Sequence, residues 1–261
     1  MRIVRFTPGP DAGLGQDPLF GVLEDDATIS IISGDPIYSG IQKTAAKIEL
    51  NKVRLLAPII PRSKVVCVGK NYADHAAEMG GVVPDEPIIF LKPNTSVIGP
   101  NDTIVWPDMS ERIDHEAELA IVIGRICKDV PVERVNDVIF GYTIANDVTA
   151  RDIQKKDGQW TRAKGFDTFC PIGPWIDTDF IPGTQKITAT IAGEVKQSAQ
   201  ISDMIFDVPT IVNFVSRVMT LLPGDIILTG TTAGIGPMVA GEKATMAIEG
   251  LGELTNKVSA K

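Results

Sequence analysis

Histidine and cysteine are scarce in this chain, which holds 2 His and 3 Cys among 261 residues. Cys67, Cys127 and Cys170 are odd in number and widely spaced. They frame neither a disulfide scaffold nor a zinc site, and they fit reduced thiols. Cationic excess is also lacking: 25 Lys and Arg face 33 Asp and Glu, for a net charge of -8. No surplus positive charge is left to neutralise phosphates, which argues against nucleic acid as a partner. A small anionic substrate is not excluded, because a bound cation reverses the local sign. No apolar run approaches the ~18 residues of a membrane-crossing helix, so no membrane partner is expected. The segment Met1 to Gly9 lacks the apolar core of a signal peptide, and a cytoplasmic chain is the expectation. Neither a Gly-x-Ser-x-Gly elbow nor a P-loop occurs. The glycines between Gly224 and Gly236 are wrongly spaced for a dinucleotide loop, and Pro237 stands where its helix would begin.

The apolar content of 44% and charged content of 22% are those of a soluble globular protein. Short strands joined by Pro/Gly/Asp turns are expected at Ile3 to Phe6, Phe20 to Leu23 and Thr28 to Ile32, followed by a more helical, polar stretch from Ile41 to Leu50. These make a small N-terminal module over residues 1–60, without chemically interesting side chains and suited to packing or subunit contact. From there to residue 261 strand-like runs recur, at Val65 to Val68, Ile88 to Leu91, Leu119 to Ile123, Val138 to Ala145, Ile187 to Ile191, Asp225 to Thr229 and Ala244 to Ile248. Pro209 to Leu221 reads as the clearest helix, with Pro209 in its first turn and a mostly apolar face. The strands do not alternate with crossover helices, so a doubly wound parallel sheet is disfavoured and a β-rich, mixed-sheet α+β domain is expected.

The most informative residues are Glu116 and Glu118, two apart at the start of the buried run Leu119 to Ile123. A strand has a side-chain period of two, so both project from one face. Two like charges beside a hydrophobic strand repel each other and resist desolvation. Either they are solvated at a strand end or a hard divalent cation sits between them. Asp147, at the end of the strand closing in Asn146-Asp147, either caps the next helix or completes an oxygen-rich set of three of the kind Mg²⁺ or Mn²⁺ uses. His75 and Glu78 lie three apart in a short segment that Asn71 or Asp74 can cap and Gly80-Gly81 can end. One helical turn lets that pair either form an ordinary surface ion pair or hold an imidazole as a general base. His115 points to the opposite face from Glu116 and reads either as a support behind the site or as structural. Lys164 is a surface lysine or a site cation. Backbone N–H groups around Gly230 to Gly234, with the Thr231 hydroxyl, can hold a carboxylate or an oxyanion.

Taken in order, Gly-Lys-Asn-Tyr-x-x-His-x-x-Glu (Gly69 to Glu78), Phe-Leu-Lys-Pro (Phe90 to Pro93), His-Glu-x-Glu-Leu (His115 to Leu119), Asn-Asp-Val-Thr-Ala-Arg-Asp-x-Gln (Asn146 to Gln154), Lys-Gly-Phe-Asp (Lys164 to Asp167) and Pro-Gly-Asp-x-x-x-Thr-Gly-Thr (Pro223 to Thr231) closely resemble the fumarylacetoacetate hydrolase family. The likeness runs from Val65 to Gly252 and is strongest to short members acting on acylpyruvates, fumarylpyruvate or oxaloacetate. The resemblance implies a mixed β-sandwich roll, a homodimer, and Mg²⁺ or Mn²⁺ held by Glu116, Glu118 and Asp147. It implies catalytic roles for His75, Glu78 and Lys164, and substrate contacts for Arg151, Gln154 and Thr231. The activity it implies is metal-dependent hydrolysis of a carbon–carbon bond in 2,4-dioxo acids, with decarboxylation of oxaloacetate as a companion reaction. Alternatives are an isomerase or decarboxylase of the 2-hydroxyhepta-2,4-diene-1,7-dioate type and a non-catalytic metabolite-binding member. Holding both His75 and Glu78 favours hydrolysis, since tautomerisation needs no activated water. The segment Tyr72 to Val83 is expected to act as a lid. Lys70 departs from the Arg or Leu found before Asn-Tyr in relatives and bears on substrate choice.

Overall fold

The computed structural model describes residues 1–78, 80 and 82–260. Its architecture is β-rich, with a twelve-stranded, a five-stranded and a three-stranded sheet. The expected strands are present, and the strand Ala117–Ile123 lies at the centre of the large sheet, between antiparallel partners Ile139–Asn146 and Ile226–Leu228. The latter pairs in parallel with Val65–Gly69, which pairs antiparallel with Ile88–Lys92.

Alternation along Ala117–Ile123 explains the layering. Leu119, Ile121 and Ile123 enter one core with Ile187, Ala189 and Met246 of the five-stranded sheet and with Ile211 and Val215 of the helix Val208–Val218. Fully burying each such side chain contributes about 1.5–3 kcal/mol. Ala120 and Val122 enter a second core with Val65, Cys67, Ile226, Ile3 and Val22. That cluster draws on strands from both ends of the large sheet, so the sheet curls around it into a roll. Glu116 and Glu118 share the parity of Ala120 and Val122 and extend their row beyond the apolar part.

The first strand, Arg2–Pro8, pairs antiparallel with Cys170–Asp177, so the N-terminal strands continue the large sheet. Here the expectation of a helical Ile41 to Leu50 fails: Lys43–Glu49 is an edge strand paired with Thr28–Ile32. Its Lys and Ala residues favour helix locally, but the available sheet edge decides, and the charged side chains suit an exposed edge. The helix expected at Pro209 to Leu221 runs Val208–Val218, with the Asp207 side chain accepting from Thr210 N.

Asp225 is the buried tie between the two cores' edges. Its carboxylate accepts from Lys64 Nζ at 2.6 Å, Ser63 Oγ at 2.7 Å and Leu222 N at 2.8 Å. Asp225→Ala strands these donors and should cost about 3–5 kcal/mol, read as a lower urea midpoint at unchanged slope; a midpoint shift within error would refute the role.

Candidate active site

The strand carrying the carboxylates is broken at Glu116, which lies between Ile113–His115 and Ala117–Ile123. Asn146 bridges the break by accepting from Glu116 N at 3.0 Å, while Asp147 N donates to Glu116 O at 2.9 Å. The Asn-Asp pair thus sets the Glu116 backbone and supplies a third carboxylate. Ligand oxygens of Glu116, Glu118 and Asp147 all lie within 4.8 Å of one another, and all three residues are buried. They line a cleft that opens to solvent, together with His75, Arg151 and Lys164.

Cations are threaded between these acids. Lys164 Nζ donates to Asp147 Oδ2 at 2.6 Å, Glu116 Oε2 at 2.8 Å and Thr149 Oγ1 at 2.8 Å. It is buried, not a surface lysine. Burial alone would lower its pKa, but Asp147 and Glu116 reverse this and hold the ammonium above its ordinary value. The expected helical turn at Thr149 to Gln154 divides into a two-residue strand, Thr149–Ala150, and the helix Arg151–Asp157. Arg151 donates to Glu116 Oε1 at 2.5 Å, Asp114 Oδ2 at 2.9 Å and Gln154 Oε1 at 2.6 Å. Burial pushes the Glu116 carboxyl up, yet Lys164, Arg151 and His75 together bring it well below the usual carboxylate range.

Glu118 differs. Its one hydrogen bond among the described residues comes from Gly230 N at 2.6 Å, and no cationic side chain pairs with it. Burial, then Asp147 and then Glu116, push its carboxyl well above the ordinary value. Lys164 acts on it from beyond ion-pair distance, and a carboxylate wedged against two others with no ion pair of its own among the described residues marks where one more positive charge fits. Three hard oxygen donors converging there suit Mg²⁺ or Mn²⁺, with substrate and water completing the shell. Glu116, Glu118 and Asp147 would hold the ion.

The glycine-rich turn does supply N–H donors to carboxylates, but to the protein's own: Gly230 N to Glu118, and Gly234 N to both Glu78 oxygens at 3.2 Å. Thr231 lines the cleft, and its hydroxyl donates to Ala117 O at 2.9 Å and accepts from Gln197 at 2.7 Å. Gln197 Oε1 also lies 2.9 Å from His115 Nδ1, which fixes His115 as a buried structural residue facing away from the acids. His75 lines the cleft from the helix Ala73–Glu78, with Nδ1 at 3.4 Å from Glu78 Oε2. Asn71 does not cap that helix. It clamps the segment from below, donating to Thr229 O at 2.8 Å and Phe206 O at 2.9 Å and accepting from Phe206 N at 2.7 Å. Gly80 has φ +66, as suits a helix end; Gly81, the other half of the expected stop and part of the expected lid, lies outside the described residues, as does Met79.

Two contributors escape a reading of the residues alone. Lys92 is 1% exposed and donates to Asp147 Oδ1 at 2.5 Å, so two lysines hold the two oxygens of this acid. A lysine ending an apolar strand before proline ordinarily reads as solvated, and only the ordered Phe-Leu-Lys-Pro motif drew notice to it. Phe90 and Trp160 form an aromatic wall, in edge contact at 5.1 Å between ring centroids, with the Phe90 ring 5.1 Å from Lys164 Nζ.

Known proteins share this constellation's scaffold. The model of the fumarylacetoacetate hydrolase C-terminal domain matches residues 64–259, and that of the Rv2993c-like N-terminal domain matches residues 1–58. Protein Rv2993c of Mycobacterium tuberculosis is 60% identical over 231 residues, covering 87% of this chain and 85% of that protein. The mitochondrial oxaloacetate tautomerase Fahd2a of Rattus norvegicus is 43% identical over 219 residues, 80% of this chain and 70% of its own. Among solved structures, the 2-hydroxyhepta-2,4-diene-1,7-dioate isomerase of Mycobacterium marinum is 49% identical with a TM-score of 0.90, covering 100% of this chain and 99% of that one. The maleylpyruvate hydrolase of Sphingobium sp. SYK-6, in complex with manganese(II) and pyruvate, is 32% identical with a TM-score of 0.81 over 100% of this chain and 99% of that one. With the domain model spanning residues 64–259 and the structural match spanning the whole length, the chain belongs to the fumarylacetoacetate hydrolase family of enzymes.

Proposed function

We propose that this protein is a divalent-cation-dependent enzyme that moves a proton on an enolisable 2-oxo acid of the oxaloacetate class, interconverting enol and keto forms, with decarboxylation as the companion reaction. One observation carries the reading: a buried, fully charged Lys164 stands between Glu116 and Asp147, beside an uncompensated Glu118, in a cleft that His75 also lines. The names of relatives point the same way, since an oxaloacetate tautomerase and a diene-dioate isomerase both shift protons along an oxo acid.

The chain's residues divide the work. A bound Mg²⁺ or Mn²⁺ would supply Lewis-acid polarisation of the 2-oxo group. Lys164 sets a fixed positive charge beside the position where negative charge grows on the enolate oxygen. Arg151, held by Asp114 and Gln154, keeps Glu116 ionised and oriented. In the enol-to-keto direction His75, with Nδ1 turned to Glu78, takes the enol O–H proton on Nε2 and delivers a proton to C3; in the reverse direction it takes the C3 proton and gives one to the enolate oxygen. The aromatic wall of Phe90 and Trp160 limits water and strengthens these charges.

Hydrolysis of an acylpyruvate is the second reading, and the His75–Glu78 pair favours it. Glu78, however, stands 3.4 Å from the imidazole and equally accepts from Gly234 N. Activation of water needs that contact to tighten, whereas a proton shuttle needs the imidazole alone. Purified protein with Mg²⁺ should convert enol-oxaloacetate to the keto form faster than it cleaves acetylpyruvate. His75→Ala should lower the tautomerisation kcat by about 10²–10⁴-fold while Mn²⁺ affinity stays within twofold. Faster cleavage of acetylpyruvate would put hydrolysis first, and turnover unchanged in His75→Ala would remove the assigned base.

A further inference from the structure

We infer that Lys70 is a specificity-determining residue, whose ammonium receives the second carboxylate of a dianionic oxo acid bound in the cleft. The inference rests on the reading above only in placing the 2-oxo acid head at the three acids.

Three cations line the cleft: Lys70, Arg151 and Lys164. The N–H groups of Arg151 are engaged by Asp114, Glu116 and Gln154, and those of Lys164 by Glu116, Asp147 and Thr149. These two charges are matched to the protein's own carboxylates. Lys70 is half-buried, and among the described residues its ammonium has no ion pair or hydrogen bond. A charge at a partly desolvated cleft wall with no internal partner is available to an anionic ligand.

The backbone around Lys70 is built rather than loose. On one side Gly69 lies against the Trp160 ring so closely that a Cβ would come within 2.6 Å of it. On the other, Asn71 is clamped to Thr229 and Phe206 by buried hydrogen bonds. Between these fixed neighbours Lys70 adopts φ +57, the left-handed region that a residue with a side chain avoids without tertiary support. The segment therefore holds the lysine at the cleft, beside the aromatic wall. The head of a 2-oxo acid at Glu116, Glu118 and Asp147 leaves its remaining carbons to run along this wall, and a terminal carboxylate on them meets Lys70. A substrate with an apolar acyl end gains nothing from it.

The chemistry predicts a preference that is independent of turnover. With saturating Mg²⁺, calorimetry should give 2-oxoglutarate about tenfold tighter binding than 2-oxopentanoate, which lacks the terminal carboxylate, as expected for one charge-assisted contact. Lys70→Met should abolish that preference while leaving 2-oxopentanoate affinity unchanged, and Lys70→Arg should keep it within about threefold. In turnover, Lys70→Met should raise KM for oxaloacetate about tenfold, leave its kcat within twofold, and leave acetylpyruvate kinetics unaltered. Equal binding of the two probes by the unsubstituted protein, or a preference that survives in Lys70→Met, overturns the assignment of Lys70. A preference lost in Lys70→Met, in a protein that turns over no oxo acid, supports Lys70 and overturns the proposed activity instead.

Discussion

Glu118→Gln should bind Mn²⁺ roughly a hundredfold or more weakly than the unsubstituted protein and turn over no oxo acid, while its metal-free form becomes more stable. The two effects share one cause. Glu118 is the acid of the three that has no ion pair among the described residues, and burial with Asp147 and Glu116 beside it pushes its carboxyl well above its ordinary value. In the metal-free fold it therefore holds its proton more tightly than in the unfolded chain. Its contribution to stability is present below the unfolded value and is lost as pH rises toward the raised folded value. Urea midpoints measured with chelator present should fall across that window in the unsubstituted protein and stay flatter in Glu118→Gln. The amide keeps the Gly230 contact and removes the repulsion, so stability rises as function disappears. Equal Mn²⁺ affinity in the two proteins would refute the ligand assignment. An unchanged slope of stability with pH would refute the electrostatic account.

Lys164→Met acts in the opposite sense. It removes a buried ammonium with three acceptors and leaves Glu116 and Asp147 facing each other. The metal-free protein should lose about 3–5 kcal/mol, and saturating Mg²⁺ should restore part of the loss, since the ion replaces the missing positive charge among the acids. kcat should nonetheless fall about 10²–10³-fold with metal present, because the ion cannot also stand where the ammonium faced the enolate oxygen. Denaturation midpoints with and without Mg²⁺, alongside kcat, separate these roles. A variant equally stable in both conditions would show that Lys164 does not balance the acids. A variant with unaltered kcat would limit it to a structural part.

Most strands were legible because their apolar residues run in period two, and Glu116 and Glu118 fell on one face for the same reason. The Lys43–Glu49 strand was not, because its Lys, Ala and Glu residues carry a helical preference that only the open edge of Thr28–Ile32 overrides. The roles of Asn71 and Lys92 were hidden for a different reason. Asn71 looks like a helix cap and Lys92 like a solvated strand end, and their partners lie at Thr229, Phe206 and Asp147, far along the chain.

The sequence by itself determined the β-rich class, the pairing of the two glutamates and the identity of the chemically capable side chains, since these depend on local periodicity and residue type. Tertiary structure alone decided which charges are matched and which are left over. Among the described residues, Glu118 has no ion pair with a cation and Lys70 none with an anion, a consequence of where folding places distant partners in a medium that water no longer screens.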